Sequence, residues 1–182
     1  MTRNMKSLTF VALFAALIAV CAQIAVPMPS GVSFTLQTFA VALCGYLLGA
    51  RYGTLSVLVY LLLGAVGAPV FSAFRGGAHI LLGKTGGYLW GFLPMAALCG
   101  LAARGKGKVL PYLWGVPGLL LCHLCGTAQN LLLAGGGFRA LLAVYSAPYL
   151  PKDLLSLAGA ALLAGRLRPV LEKYGIMITK KA

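Results

Sequence analysis

Long apolar runs, separated by short polar or glycine-rich breaks, dominate this chain. Runs of about 20 apolar residues match the length of a helix that crosses a lipid bilayer. Breaks that contain proline, glycine and basic residues indicate the connections between such helices. The pattern predicts six transmembrane spans, at about residues 8–25, 35–50, 54–70, 85–103, 112–134 and 149–167. We therefore expect an all-α membrane protein in which residues 1–182 form a single transmembrane domain.

The connections between the predicted spans differ in length. Arg51-Tyr52-Gly53 predicts a tight turn after the second span, whereas 71–83 forms a longer loop. The run over 141–145 is apolar but too short to span, so we expect it at the membrane interface. The first run has the basic flank of a signal peptide, yet it is long enough to span and no clear cleavage site follows it. We interpret it as the first span.

Composition supports the membrane prediction and sets the orientation. The chain is 60% hydrophobic and only 9% charged, which excludes a soluble domain. The net charge of +13 does not indicate nucleic-acid binding, because the basic residues occur singly or in short clusters between apolar runs. Most of the 15 basic residues fall on the side that holds both termini, which predicts cytoplasmic termini. The exceptions are Arg75, Lys84, Arg139 and Lys152.

Polar side chains near membrane depth gather at the predicted outer ends of the spans. They are Gln23, Thr35, Gln37, Thr38, Lys84, Thr85, Tyr88, Gln129, Asn130 and Asp153. Lipid offers such groups no hydrogen-bond partner, so they should face protein or a cavity. Outer helix ends could simply be wetter, but the equally wet inner ends hold Lys and Arg without the amides. We therefore predict a binding pocket that opens to the outside.

Asp153 is one of only two acidic residues in the chain, and it opens the last predicted span. An ionisable residue at the mouth of an apolar helix is costly and suggests function. A structural role is also open, because Pro151 would occupy the first helical position and an acid in the first turn complements the helix dipole.

Two short motifs are similar to known binding motifs, but the surrounding sequence supports neither a metal site nor a phosphate loop. Cys122-His123-Leu124-Cys125 has the spacing of half a zinc site, but no second pair exists, so we expect no metal. The stretch Gly83-Lys84-Thr85 is similar to a phosphate loop, but Ala78 stands where that motif needs glycine. No βα unit surrounds it, so we do not predict nucleotide binding.

Small residues recur at helical spacing in two of the spans. Gly83, Gly87 and Gly91 repeat every four residues, a pattern that allows close helix contact. In the first span, alanines follow one helical face. They are Ala12, Ala15, Ala16 and Ala19. Such a face either packs inside the protein or docks another membrane subunit.

Three stretches carry a resemblance to a known family. They are Phe-Thr-Leu-Gln-Thr-Phe at 34–39, Gly-Lys-Thr-Gly-Gly-Tyr-Leu at 83–89 followed by Gly91-Phe92, and Tyr-Leu-Pro-Lys-Asp at 149–153. In this order and spacing the chain resembles the BioY family, the biotin-specific substrate-binding (S) components of energy-coupling factor (ECF) transporters. The resemblance covers most of residues 8–165.

The resemblance implies a six-helix S-component fold in a prokaryotic cell membrane, a biotin site near the outer face, no catalytic reaction and no cofactor. It also implies a transmembrane coupling subunit, contacted through Ala12 and Ala16, and two cytoplasmic ABC ATPases. Biotin needs acceptors for its ureido N–H groups, donors for its oxygens and apolar walls. The candidate binding residues are Asp153, Lys84, Tyr88, Gln37, Thr35, Asn130, Arg75 and Lys152.

The chain departs from the family pattern at three positions. Ser33 and Lys84 stand where the family usually has proline, and Ser156 stands where it usually has a lysine associated with ligand contact. Lys84 and Lys152 are the candidates to supply the charge that is missing at position 156.

Two other functions remain open. One is an S component or small permease for another vitamin-like molecule. The other is a membrane enzyme that uses Asp153 with His79 or His123, which is disfavoured because only one embedded acid exists and no Ser–His pair has motif spacing.

Overall fold

The computed structural model describes residues 3–28, 32–105, 107 and 109–173, and it is mostly helical there. The helices are α1 (Arg3–Gln23), α2 (Gln37–Ala65), α3 (Ala78–Leu82), α4 (Gly86–Leu101), α5 (Leu110–Ala134), α6 (Phe138–Tyr145) and α7 (Leu150–Lys173). Two short antiparallel strands, β1 (Ala25–Val26) and β2 (Phe34–Thr35), join α1 to α2. Single 3-10 turns occur at Ser72–Phe74 and Ala102–Arg104. The all-α prediction is confirmed.

Helix α2 folds back on itself at Gly49. This residue has φ 78° and ψ 173°, a conformation that only glycine adopts readily. On either side of it, the Cys44 thiol donates to the backbone oxygen of Gly53 at 3.6 Å. Residues that far apart in a continuous helix would be separated by more than about 12 Å. The two halves of α2 therefore correspond to the predicted second and third spans, but the turn lies at Gly49 and not at 51–53.

Four helical segments are long and apolar enough to cross a membrane, by length and composition, within the part of the chain that the structure describes. They are Met5–Gln23, Gln37–Ala65, Leu110–Ala134 and Leu150–Lys173, and Gly86–Leu101 is a shorter apolar helix. Because α2 folds back, these elements supply one helical segment for each of the six predicted spans. The number of crossings and the position of the termini stay predictions. The basic residues of the predicted inner side at 106, 108 and 180–181 lie outside the described residues.

Glycines allow α4 to pack directly against α5. A Cβ on Gly87 would lie 2.3 Å from the backbone oxygen of Cys125, and one on Gly91 would lie 2.7 Å from the Cα of Cys122. The predicted close helix contact is therefore present at these two positions. Gly83 differs, because it precedes α4 and packs against the backbone oxygen of His79.

The four alanines share one side of α1, as predicted, but they differ in burial. Ala15 is only 2% exposed and lies in the core beside Phe14 and Ile18. Ala12 and Ala16 lie about 60° and 100° around the helix from Ala15, and both are exposed. Ala19 is half-buried. Ala15 therefore has no surface to offer a partner, whereas Ala12 and Ala16 do.

Candidate binding site

A cavity lies where α2, α4 and α7 begin, and side chains from the middle of α5 complete its wall. The polar residues that line it include Ser33, Thr35, Gln37, Thr38, Ser72, Arg75, Thr85, Tyr88, His123, Lys152 and Asp153. Apolar and aromatic residues cover the rest, including Phe71, Leu89, Phe92, Leu119 and Tyr149. A mostly apolar cavity with a few convergent polar groups is typical of a small-molecule site.

Asp153 is the centre of a buried polar cluster on this wall. It lies in the first turn of α7 and is 5% exposed. Its Oδ2 is 3.2 Å from Nε2 of His123 on α5, and its Oδ1 is paired with the ammonium group of Lys152. A buried carboxylate needs such partners, because removing an isolated charge from water is costly. These contacts reach side chains of two helices, which a cap of α7 alone would not require.

Lys152 also fastens strand β2 to the start of α7. Its Nζ donates to the backbone oxygen of Thr35 at 2.8 Å and lies 5.5 Å from the ring centroid of Phe34. The hydroxyl of Tyr149 donates to the backbone oxygen of Val32 at 2.6 Å, and the rings of Phe34 and Tyr149 lie 4.8 Å apart. The segment before α2 is therefore held against the cavity by four contacts.

Gln37 is oriented by two neighbours at the start of α2. Thr35 Oγ1 donates to Gln37 Oε1 at 3.0 Å, and Gln37 Nε2 donates to the Tyr60 hydroxyl at 2.7 Å. The ring of Tyr60 in turn meets Phe71 edge-on, with centroids 5.6 Å apart. These contacts fix the amide on the cavity wall before any ligand arrives.

Tyr88 connects α4 to the segment between α6 and α7. Its hydroxyl donates to the backbone oxygen of Tyr145 at 2.8 Å and lies 3.0 Å from Ser146 Oγ, which also contacts Thr127 Oγ1 at 3.0 Å. Gly126 makes room for the ring, since a Cβ there would lie 2.4 Å from it. The hydrogen bonds of the Tyr88 hydroxyl therefore hold its ring in place on the cavity wall.

Arg75 stands at the exposed edge of the cavity on a tight turn. Ala73 and Phe74 both adopt left-handed backbone conformations, with φ 59° and 55°, which non-glycine residues rarely do. The backbone N–H of Phe71 donates to the oxygen of Arg75 at 2.9 Å and closes this turn. The guanidinium donates to the backbone oxygen of Ser72 at 3.0 Å and to its hydroxyl at 3.2 Å. A strained turn thus places a cation at the cavity edge.

The structure brings six of the eight predicted binding residues to this cavity. They are Asp153, Lys152, Tyr88, Gln37, Thr35 and Arg75. Lys84 is exposed in the turn before α4 and does not line the cavity. Asn130 is 0% exposed and does not line it either. Both residues belong to the predicted end of the bundle, but neither lines the cavity, which sequence position alone does not reveal.

His123 lines the cavity, although sequence reasoning considered it only for a metal site or an enzyme. A signal was present in the spacing along α5. His123, Thr127 and Asn130 follow the i, i+4, i+7 pattern of one helical face, and all three are buried. A polar face within a predicted span should point to protein and not to lipid.

The profile of the BioY family matches residues 1–173. The chain belongs to the BioY family. The biotin transporter BioY of Thermotoga maritima is 44% identical over 166 residues, which cover 90% of this chain and 96% of that protein. The probable biotin transporter BioY of Pyrococcus horikoshii is 42% identical over 163 residues, with the same coverage of 90% and 96%.

A solved structure supports the fold. The chain is similar to the crystal structure of the S-component for biotin from an ECF-type ABC transporter, with a TM-score of 0.82 and 26% identity over 93% of this chain and 95% of that one. The predicted S-component-like fold is confirmed. BioY family relatives are transporters, which confirms that this chain is a multi-pass membrane protein of a transport family and not an enzyme.

Proposed function

We propose that this chain captures biotin with high affinity at the outer face of the membrane and delivers it inward as the S component of an ECF-type ABC transporter. The observation that carries the proposal is the buried cluster of Asp153, Lys152 and His123 on the wall of an aromatic-lined cavity. Biotin is the ligand named for the two relatives and for the similar solved structure.

The cavity offers groups that match the chemistry of biotin. The ureido ring presents two N–H donors and a carbonyl acceptor, for which the Asp153 carboxylate, the Lys152 ammonium and the Gln37 amide are complementary. The apolar bicycle and chain suit Phe71 and Tyr149. The carboxylate of biotin needs a cation near water, and Arg75 is exposed at the cavity edge.

Transport then requires partners that supply energy. We propose a transmembrane coupling subunit driven by two cytoplasmic ABC ATPases, in the prokaryotic plasma membrane. The exposed pair Ala12 and Ala16 supports a docking surface on α1, because small residues let two helix backbones approach closely. In this proposal residues 1–182 act as one substrate-binding domain with six crossings and both termini cytoplasmic.

Uptake of radiolabelled biotin tests this function. Bacteria that lack biotin uptake and synthesis would express the chain with a coupling subunit and two ATPases, with ATPase-inactive subunits as the matched control. We expect accumulation of biotin with the active module and none with the inactive one. Accumulation of a different vitamin in place of biotin would contradict the proposed substrate. Equal biotin accumulation with inactive ATPases would contradict the ECF mechanism.

A further inference from the structure

His123 is the member of the buried cluster to which the proposed function gives no specific role. It comes from α5, whereas Asp153 and Lys152 are neighbours in α7. Its side chain is buried, lines the cavity and approaches Asp153 Oδ2 through Nε2 at 3.2 Å. This contact is a side-chain link between α5 and α7 at the cavity wall.

The chemistry of the contact fixes which ring nitrogen carries the proton. An ionised carboxylate only accepts hydrogen bonds, so Nε2 of His123 must donate to Asp153. In the neutral ring, Nδ1 is then the acceptor. Nδ1 is buried and has no hydrogen-bond partner among the described residues, so the only hydrogen bond found for the ring is the one to Asp153.

The ring is better suited than Lys152 to set the direction of the carboxylate. Lys152 has a flexible side chain that also binds the backbone oxygen of Thr35. The imidazole is held edge-on against Tyr88, with ring centroids 5.8 Å apart and an interplanar angle of 83°. Tyr88 is itself fixed by Tyr145 and Ser146. Rigid partners of this kind orient a functional group more precisely than flexible ones do.

We propose that His123 is a positioning residue for ligand recognition by Asp153. Its Nε2–H holds Oδ2 of the carboxylate, so that Oδ1 stays beside Lys152 and is presented to an N–H donor of the ligand. This inference rests on the proposed function, because biotin supplies that donor through its ureido ring. Small ligands without an N–H donor gain nothing from this arrangement.

A double-mutant cycle on the purified protein tests this role. Biotin affinity is measured by calorimetry for the parent, His123→Leu, Asp153→Asn and the double variant, with the melting temperature of each. We expect His123→Leu to weaken binding about tenfold, as coupled contacts in one network usually do. In the Asp153→Asn background the same change should have little further effect, because the group that His123 positions is already altered.

Two conservative variants, His123→Gln and His123→Asn, test the role if His123→Leu does not fold. Glutamine places an amide N–H at about the reach of Nε2, whereas asparagine is too short. We expect His123→Gln to recover most of the affinity and His123→Asn to recover little. Unchanged affinity in His123→Leu, equal affinities for the Gln and Asn variants, or additive losses in the cycle would each overturn the role. A folded parent that binds no biotin would instead refute the proposed function and this inference with it.

Discussion

At the scale of single residues, the site depends on one buried carboxylate and the groups that surround it. Asp153 would be expensive to bury alone, and the structure offsets that cost with Lys152 on one oxygen and His123 on the other. A helix cap would not require partners on a second helix. The arrangement therefore favours a role in ligand binding for Asp153 over a role in starting α7.

Asp153→Asn tests this preference. Asparagine keeps the shape and favours helix starts, but it removes the charge. We expect biotin binding to weaken by about 1.5–3 kcal/mol, the usual cost of losing a hydrogen bond to a charged group, which is roughly ten- to a hundredfold in affinity. Glu172→Gln, which removes the other acid of the chain at the far end of α7, is the matched control and should bind as the parent does. Parental affinity in Asp153→Asn would leave Asp153 as a cap.

The two candidate lysines should behave differently. Lys152 is paired with Asp153, whereas Lys84 is exposed and outside the cavity lining. We therefore expect Lys152→Met to weaken biotin binding about tenfold or more, because it removes the lysine partner of a buried carboxylate. Lys84→Met, the matched control, should change affinity little. The reverse order in a calorimetric titration would show that Lys84 supplies the charge.

At the scale of elements, α1 carries neighbouring alanines with different surroundings. Ala15 packs into the core, and Ala12 and Ala16 face outward. A large side chain should therefore have different effects at Ala15 and at the exposed pair. The two effects distinguish a docking surface from internal packing.

Tryptophan substitutions on α1 exploit this difference. We expect Ala12→Trp and Ala16→Trp to abolish biotin uptake with the coupling module but to leave biotin binding by the isolated protein intact. Ala15→Trp should instead lower the free energy of unfolding by about 1–3 kcal/mol or more, since it overpacks a buried site. Loss of binding in the two outward variants would mean that Ala12 and Ala16 support the fold and not docking.

Apolar periodicity was sufficient to predict which segments are helical. It placed both ends of α5 and the start of α7 within about two residues, because long apolar helices have few alternatives in lipid. It ended the last span at 167, whereas α7 continues to Lys173 through a polar segment. It misplaced the turn in α2, since the reversal depends on the φ and ψ of Gly49, which its neighbours in sequence do not specify. It also missed His123 and included Asn130. Both residues lie on the same face of α5, so their positions along the helix axis decide which one lines the cavity, and apolar periodicity does not give that depth.

At the scale of the whole molecule, the cavity lies at one end of the helical bundle. The starts of α2, α4 and α7 surround it, and Arg75 stands at its edge. The distribution of basic residues predicts that this end faces the outside of the cell. An outward cavity and inward basic loops are thus two consequences of one orientation.

Cysteine labelling in intact cells tests that orientation. Gly137 and Val109 lie at opposite ends of α5, and both are exposed. We expect an impermeant maleimide to modify Gly137→Cys and to leave Val109→Cys unmodified until the cells are opened. A background in which the five native cysteines are replaced removes competing labels. Labelling in the opposite sense would overturn the orientation and the outward cavity together.

The most direct test of the account is a titration of the purified protein with biotin, dethiobiotin and riboflavin. We expect saturable binding of biotin, weaker binding of dethiobiotin, which keeps the ureido ring but lacks the sulfur-containing ring, and no binding of riboflavin. This order follows from recognition of the ureido group by Asp153 together with an apolar wall for the bicycle. A folded protein that binds riboflavin or another vitamin in preference to biotin, or that does not bind biotin at all, would contradict it.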